Sequence, residues 1–405
     1  MATSPVPSGV VAIAPGTHYP ALDGLRGIAI LSVMAFHFLL FSGIEPRGRL
    51  ERILFSGGEA GWFGVDLFFV LSGFLITGIL FDTRNRPGSA KTFYWRRALR
   101  IFPLYYGFLA MRFFVLPRLT SASPALRIPF ESQLWQWSYL SNVQITLRGW
   151  EGLPYDLQHF WSLAIEEQFY LVWPWLVFSL SRRALLQICA GMMIGALVLR
   201  AVLVGRGFGI AGYVLTPARM DPLAVGAALA LIWREPRDRA IAARWSRPVV
   251  VVAGLALALM FVLRKGLRAQ DPVVGTFGFS LLAVFFGALL FIGLTASPTG
   301  RARRTLSAAP LRFFGKYSYA LYVFHQPVVL RLAAAGLAAL LIPKVGGGLP
   351  GAVCFAAVAL AVSLVAALAS WNLWEKYFLR LKNRLAVLPA DGAVPPAGKP
   401  SSAAP

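Results

Sequence analysis

Long apolar stretches separated by short polar loops run from about residue 22 to residue 374. An α-helix rises about 1.5 Å per residue, so crossing roughly 30 Å of hydrocarbon takes about 20 predominantly apolar residues. Ten stretches follow that pattern, at approximately 22–41, 61–81, 101–116, 157–180, 184–204, 212–233, 248–263, 273–294, 317–342 and 351–374. The third is short and carries Arg112. Lipid offers no hydrogen-bond partner to a bare backbone, so each stretch must close its own ladder as a helix. The expected fold is all-α, a polytopic membrane bundle of about ten transmembrane helices.

Composition agrees with this pattern. With 57% of 405 residues hydrophobic and only 14% charged, the chain has more apolar surface than one soluble core hides. The net charge of +22 invites a nucleic-acid partner. The basic residues, however, form no continuous stripe with interleaved aromatics, which excludes that class. They gather in alternate loops instead: Arg84, Arg86, Lys91 and Arg96 after the second stretch, Arg182 and Arg183 after the fourth, Arg234 to Arg247 after the sixth, Arg301 to Lys316 after the eighth. By the positive-inside rule both termini are expected in the cytoplasm of an integral membrane protein.

Residues 1–18, rich in Pro, Ser and Gly with no basic leader region, read as a disordered tail, and 385–405 as a second one. The span 19–384 is then a single membrane domain, and neither end is long enough to add a soluble one. Cys189 and Cys354 fall in apolar stretches without a CxxC or a neighbouring His cluster, so they read as packing residues and no metal is expected.

Polar groups inside apolar helices are costly, and they mark candidate sites. Arg26 and His37 are eleven positions apart in the first stretch. At about 100° per residue they share one helix face, roughly 16 Å apart along the axis. In the second stretch Asp66 stands at a depth comparable with His37, either orienting that imidazole or pairing with another helix. Arg97 and Arg100 share a face after that stretch and suit either phosphate groups or anionic lipid head groups. In the fourth stretch His159, Trp161, Ser162, Glu166 and Glu167 follow one another, with Ser162 four residues and His159 seven residues before Glu166. A carboxylate at that depth can fix an imidazole tautomer. Arg219 and Asp221 read as a local pair at the rim, and His325 lies at mid-membrane depth.

Several runs together are similar to the membrane-bound acyltransferase family 3. They are the Arg26 to His37 spacing, GVDLFFVLSGFLIT from Gly64, RRALRIFPLYY from Arg96, HFWSLAIEEQFYLVWP from His159 and YSYALYVFHQP from Tyr317. Their order covers about 19–384. The resemblance implies a ten-helix enzyme that moves an acyl group, usually acetyl, from cytoplasmic acyl-CoA to a hydroxyl of a glycan or similar acceptor. WNLWEKY from Trp371 lacks the proline that family members commonly carry after the glutamate. Combined with the residues, the resemblance implies that Arg26, Arg97 and Arg100 hold the phosphates of acyl-CoA. His37 then serves as general base or transient acyl carrier, oriented by Glu166 or Asp66. His159, Trp161, Ser162, Glu167 and His325 are left to line the acceptor site. A continuous tunnel from the arginines to His37 is expected. Other readings stand beside it: a polytopic transporter, a lipid-dependent scaffold, or an acyltransferase acting on a small cytoplasmic molecule.

Overall fold

The computed structural model describes residues 19–119, 128–297 and 299–385. The expected tails, 1–18 and the part of 385–405 beyond Leu385, lie outside the described residues. All regular structure among the described residues is helical. In chain order the main elements are α1 (Pro20–Ser42), α2 (Arg49–Glu59), α3 (Gly64–Thr83), α4 (Ser89–Ala110), α5 (Phe130–Trp137), α6 (Ser141–Arg148), α7 (Trp161–Ser179) and α8 (Arg182–Gly205). They continue with α9 (Met220–Trp233), α10 (Pro236–Arg264), α11 (Phe279–Thr295), α12 (Ala309–Ala334), α13 (Leu337–Val345), α14 (Gly348–Ser370) and α15 (Lys376–Leu385).

Among the described residues seven helical stretches are long and apolar enough to cross a membrane. An eighth follows if α12 and α13, bent by 70° at their joint, count as one. This is a multi-pass membrane bundle. Two of the ten expected spans fall short of the length and apolarity of the others. α7 has 19 residues but carries two carboxylates and Gln168. α9 has only 14 residues, because a short helix (Gly209–Val214) and a 3₁₀ turn (Thr216–Arg219) take up the chain before it.

α3 occupies the centre, packed against α1, α7, α9 and α11. α8 and α10 lie outside, turning Ile194, Val198, Leu255 and Val262 outward as a lipid-facing surface needs. Two contacts bring backbones together. A Cβ on Gly226 of α9 would lie 2.0 Å from the Val70 carbonyl oxygen of α3, and one on Gly315 of α12 would lie 1.8 Å from that of Asp23 in α1. Only glycine permits such approaches in a membrane interface. The second one clamps α1, which carries Arg26 and His37, onto α12, which carries His325.

Ion pairs buried among the helices differ from the local pairing expected of Arg219 and Asp221. Arg219 crosses to Asp66 of α3 at 2.7 Å, both side chains fully buried, while Asp221 takes both Nη groups of Arg200 at 2.9 and 2.7 Å. Arg112 of the third stretch pairs with Asp156. Each places a charge inside lipid only where an opposite charge meets it.

Candidate active site

α1 carries Arg26 and His37 on one unbroken helix, and a cavity opens at each end of that stripe. The first is lined by Arg26, Arg97, Arg100, Ser72, Glu166 and Tyr170, among others, and encloses about 100 Å³. Three guanidinium groups expected from sequence to act together therefore converge. Arg26 contacts Asp23 at 3.2 Å, whereas Arg97 and Arg100 make no hydrogen bond or ion pair with any described residue. Arg97 lies over the Tyr170 ring. Glu166 points into this cavity and accepts a hydrogen bond from Ser72, which accepts one in turn from Tyr170.

The second cavity, about 520 Å³, holds His37, His159, Trp62, Trp150, Trp161 and Tyr213 in its wall, with Glu59 and Arg268 also lining it. In place of the continuous tunnel, the two cavities share Val65 and Tyr322 as a common wall. The Tyr322 hydroxyl donates to the His159 carbonyl and lies 2.6 Å from the Ser162 hydroxyl, which fixes that wall in place.

The hydrogen bonds around His37 assign its tautomer. His325 is fully buried, and its Nδ1 faces the carbonyls of Tyr322 at 2.7 Å and Leu321 at 3.1 Å, so Nδ1 carries the proton. In a neutral ring Nε2 is then an acceptor. It sits 3.2 Å from Nδ1 of His37, which is also 3.0 Å from the Val33 carbonyl. His37 Nδ1 is therefore the donor, and its Nε2 is left as a lone pair on a ring that lines the large cavity. His159 packs against His325 at a ring separation of 5.2 Å, and both of its nitrogens are buried without a hydrogen-bond partner.

The orienting partner of His37 is thus His325, where sequence pointed to Glu166 or Asp66. Glu166 belongs to the arginine cavity. Asp66 is engaged by Arg219, whose guanidinium lies 3.9 Å from the centre of the Phe279 ring and 5.7 Å from that of Trp161, behind the wall of the large cavity. Glu167, one residue from Glu166 and so about 100° round the helix, faces neither cavity and opens instead on a third groove. Tyr322 and Tyr170 escaped the sequence reading, and Ser72, which reads in the sequence as a helix-packing residue, bridges Tyr170 and Glu166 by hydrogen bonds. The spacing of Tyr322, four after Ser318 and three before His325 on one helix face, was the available signal. Among the described residues no group of three or more His, Cys, Asp or Glu is disposed to hold a metal ion.

His325→Ala is expected to lower activity about tenfold to a hundredfold, the order of loss seen when a functional histidine, as in metal sites, loses the partner that orients its ring. His325→Gln, whose side-chain carbonyl accepts the same proton, is expected to recover most of that loss. Equal losses in the two variants would make His325 a packing residue.

The family profile described as an acyltransferase domain matches residues 19–368, which takes in both cavities and every helix that lines them. The chain belongs to acyltransferase family 3. Among curated relatives of this family-3 chain, the peptidoglycan O-acetyltransferase OatA of Listeria monocytogenes is 31% identical over 77% of this chain and 49% of its own length. The putative peptidoglycan O-acetyltransferase YrhL of Bacillus subtilis is 29% identical over 77% of this chain and 49% of its own length. The O-acetyltransferase OatA of Staphylococcus aureus is also 29% identical, over 77% of this chain and 51% of its own length. The chain spans about half the length of the curated relatives it matches. No solved structure matches it.

Proposed function

We propose that this protein is a membrane-embedded O-acyltransferase that moves an acyl group, acetyl in the first instance, from acyl-CoA to a hydroxyl of a cell-surface glycan or glycolipid. The observation that carries the reading is the free Nε2 of His37 on the wall of an aromatic cavity, one helix stripe away from three converging arginines. The arginine end is taken to face the cytoplasm, following the basic loops. There Arg97 and Arg100, unpaired, together with Arg26, grip the donor's phosphates. The acyl-bearing arm passes the wall at Val65 and Tyr322 to reach His37.

His37 Nε2 takes the proton of the acceptor hydroxyl as its oxygen attacks the thioester carbonyl. The new C–O bond forms, the C–S bond breaks, and the departing thiolate recovers the proton from the imidazolium. His325 accepts from His37 Nδ1 throughout and holds the ring in the productive tautomer. Trp62, Trp150, Trp161 and Tyr213 offer flat faces to sugar rings, with His159 beside them and Glu59 and Arg268 for their hydroxyls. Ser162 acts through Tyr322, Asp66 through Arg219 behind Trp161, and Glu166 by shaping the arginine cavity. Relatives named as peptidoglycan O-acetyltransferases support a glycan acceptor.

The test uses purified protein in vesicles, with labelled acetyl-CoA on one side and a panel of envelope oligosaccharides on the other. Ester-linked label on a sugar hydroxyl is expected. Flux of the oligosaccharide without consumption of acetyl-CoA would replace the enzyme with a transporter. Arg97→Ala and Arg100→Ala are each expected to raise KM for acetyl-CoA by about tenfold or more, since each removes about 1.4 kcal/mol or more of charge-assisted binding. An unchanged KM in both would remove the arginines from the donor site.

A further inference from the structure

The arginine cavity, at about 100 Å³, has room for phosphate oxygens or a thin arm but not for a nucleotide. Beside it lies a groove of about 480 Å³ between α4, the joint of α5 and α6, and α7. Arg97 and Tyr170 line both spaces, so the groove is the arginine cavity's immediate neighbour. Lys91, Tyr94 and Trp95 line one end of it, and Phe102, eleven residues after Lys91 on the same helix, lines it roughly 16 Å further along the helix axis.

The lining of the groove includes residues with polar atoms that the protein itself does not use. The Glu167 carboxylate accepts no hydrogen bond from any described residue, and its Oε1 is buried. The Tyr139 hydroxyl is likewise buried without a partner. Tyr139 also holds a backbone φ of 55°, a left-handed conformation that a bulky residue rarely adopts. It is kept there by stacking on Tyr105 at 4.2 Å and by Gln168 Nε2 donating to its carbonyl. A buried acceptor and a buried phenol hydroxyl, both on residues that line one groove, lack the partner that such groups ordinarily have.

We propose that this groove binds the adenosine 3′,5′-diphosphate end of acyl-CoA, which rests on the donor reading above and extends it. Adenine supplies what the groove lacks: a flat ring for Trp95, Tyr94 or Phe102, an exocyclic amine that donates to Glu167, and ring nitrogens that accept from Tyr139. The 3′-phosphate meets Lys91. The pyrophosphate meets Arg97, and the arm continues past it to Arg100 and Arg26.

Two measurements test this. Binding of adenosine 3′,5′-bisphosphate to the purified protein, read by calorimetry, is expected to exceed that of its deaminated, hypoxanthine counterpart by about tenfold, because the carboxylate would face a carbonyl oxygen in the latter. The same preference is expected in KM for acetyl-CoA over deaminated acetyl-CoA. Glu167→Gln, whose amide can donate to that oxygen, should erase or invert the preference in both assays, which a misfolded variant cannot do. Equal affinity of the wild-type protein for the two bases would overturn the adenine site while leaving acyl transfer intact. Selective nucleotide binding without any transfer from acetyl-CoA would overturn the proposed reaction while leaving the groove assigned.

Discussion

His37→Gln is expected to lower kcat for acyl transfer about a thousandfold, within the range that a positioned general base contributes and equivalent to about 4 kcal/mol of barrier. Glutamine has comparable bulk and its amide can still reach the Val33 carbonyl, but it offers no basic nitrogen to the cavity. KM for acetyl-CoA should change little, because the arginines proposed to hold its phosphates lie at the other end of α1. The folded state should persist, since His37 is only partly buried and its neighbours Phe36 and Phe41 keep their places. Initial rates with both substrates near saturation decide the matter. A variant that folds and turns over at the wild-type rate would strip His37 of its role, whatever the arginines do.

Arg219→Ala is expected to destabilise the protein by about 3–5 kcal/mol, because it leaves the fully buried Asp66 carboxylate without its ion-pair partner. Only the Nη2 of Arg219 reaches Asp66 Oδ1, and the remaining polar atoms Nε, Nη1 and Oδ2 are buried without partners. The pair is therefore sustained by charge and by the surrounding rings of Phe69, Trp161, Tyr213 and Phe279 rather than by a complete hydrogen-bond set. Asp66→Asn combined with Arg219→Met should restore most of the lost stability. Thermal unfolding in detergent of the wild type, the single and the double variant reads both effects. Additive losses in the double variant would mean that the two residues do not depend on one another.

How much of this was legible in the chain depends on how local each interaction is. Arg26 and His37 lie on one helix, so the helical period alone placed them on one stripe. Arg97 and Arg100, three apart, were placed in the same way, and the three arginines do converge. Asp66 and Arg219 are 153 residues apart, and no pattern along the chain pairs them. The local alternative, Arg219 with Asp221, was more visible but gives way to Arg200, a residue that an apolar stretch had hidden. Consecutive residues diverge by about 100° on a helix, so Glu166 and Glu167 had to face different spaces. Which space each one faces depended on the position of α4, which the sequence does not state. The hydrogen bond between His37 and His325 joins the first span to the ninth and needed the glycine contact of α1 with α12 to bring the two rings into reach.

The shared wall at Val65 and Tyr322 has a consequence for the cell that houses the protein. A bilayer stores an electrical gradient, and any continuous water column through a catalyst would short it. Here two hollows approach from opposite ends of the α1 stripe yet stop at a phenol fastened to the His159 backbone and an aliphatic side chain beside it. In the proposed reaction a slender thioester tether slips past such a seal one molecule at a time, while ions meet an insulator. The proposed transfer across the membrane and energy storage in the bilayer then coexist in one small bundle.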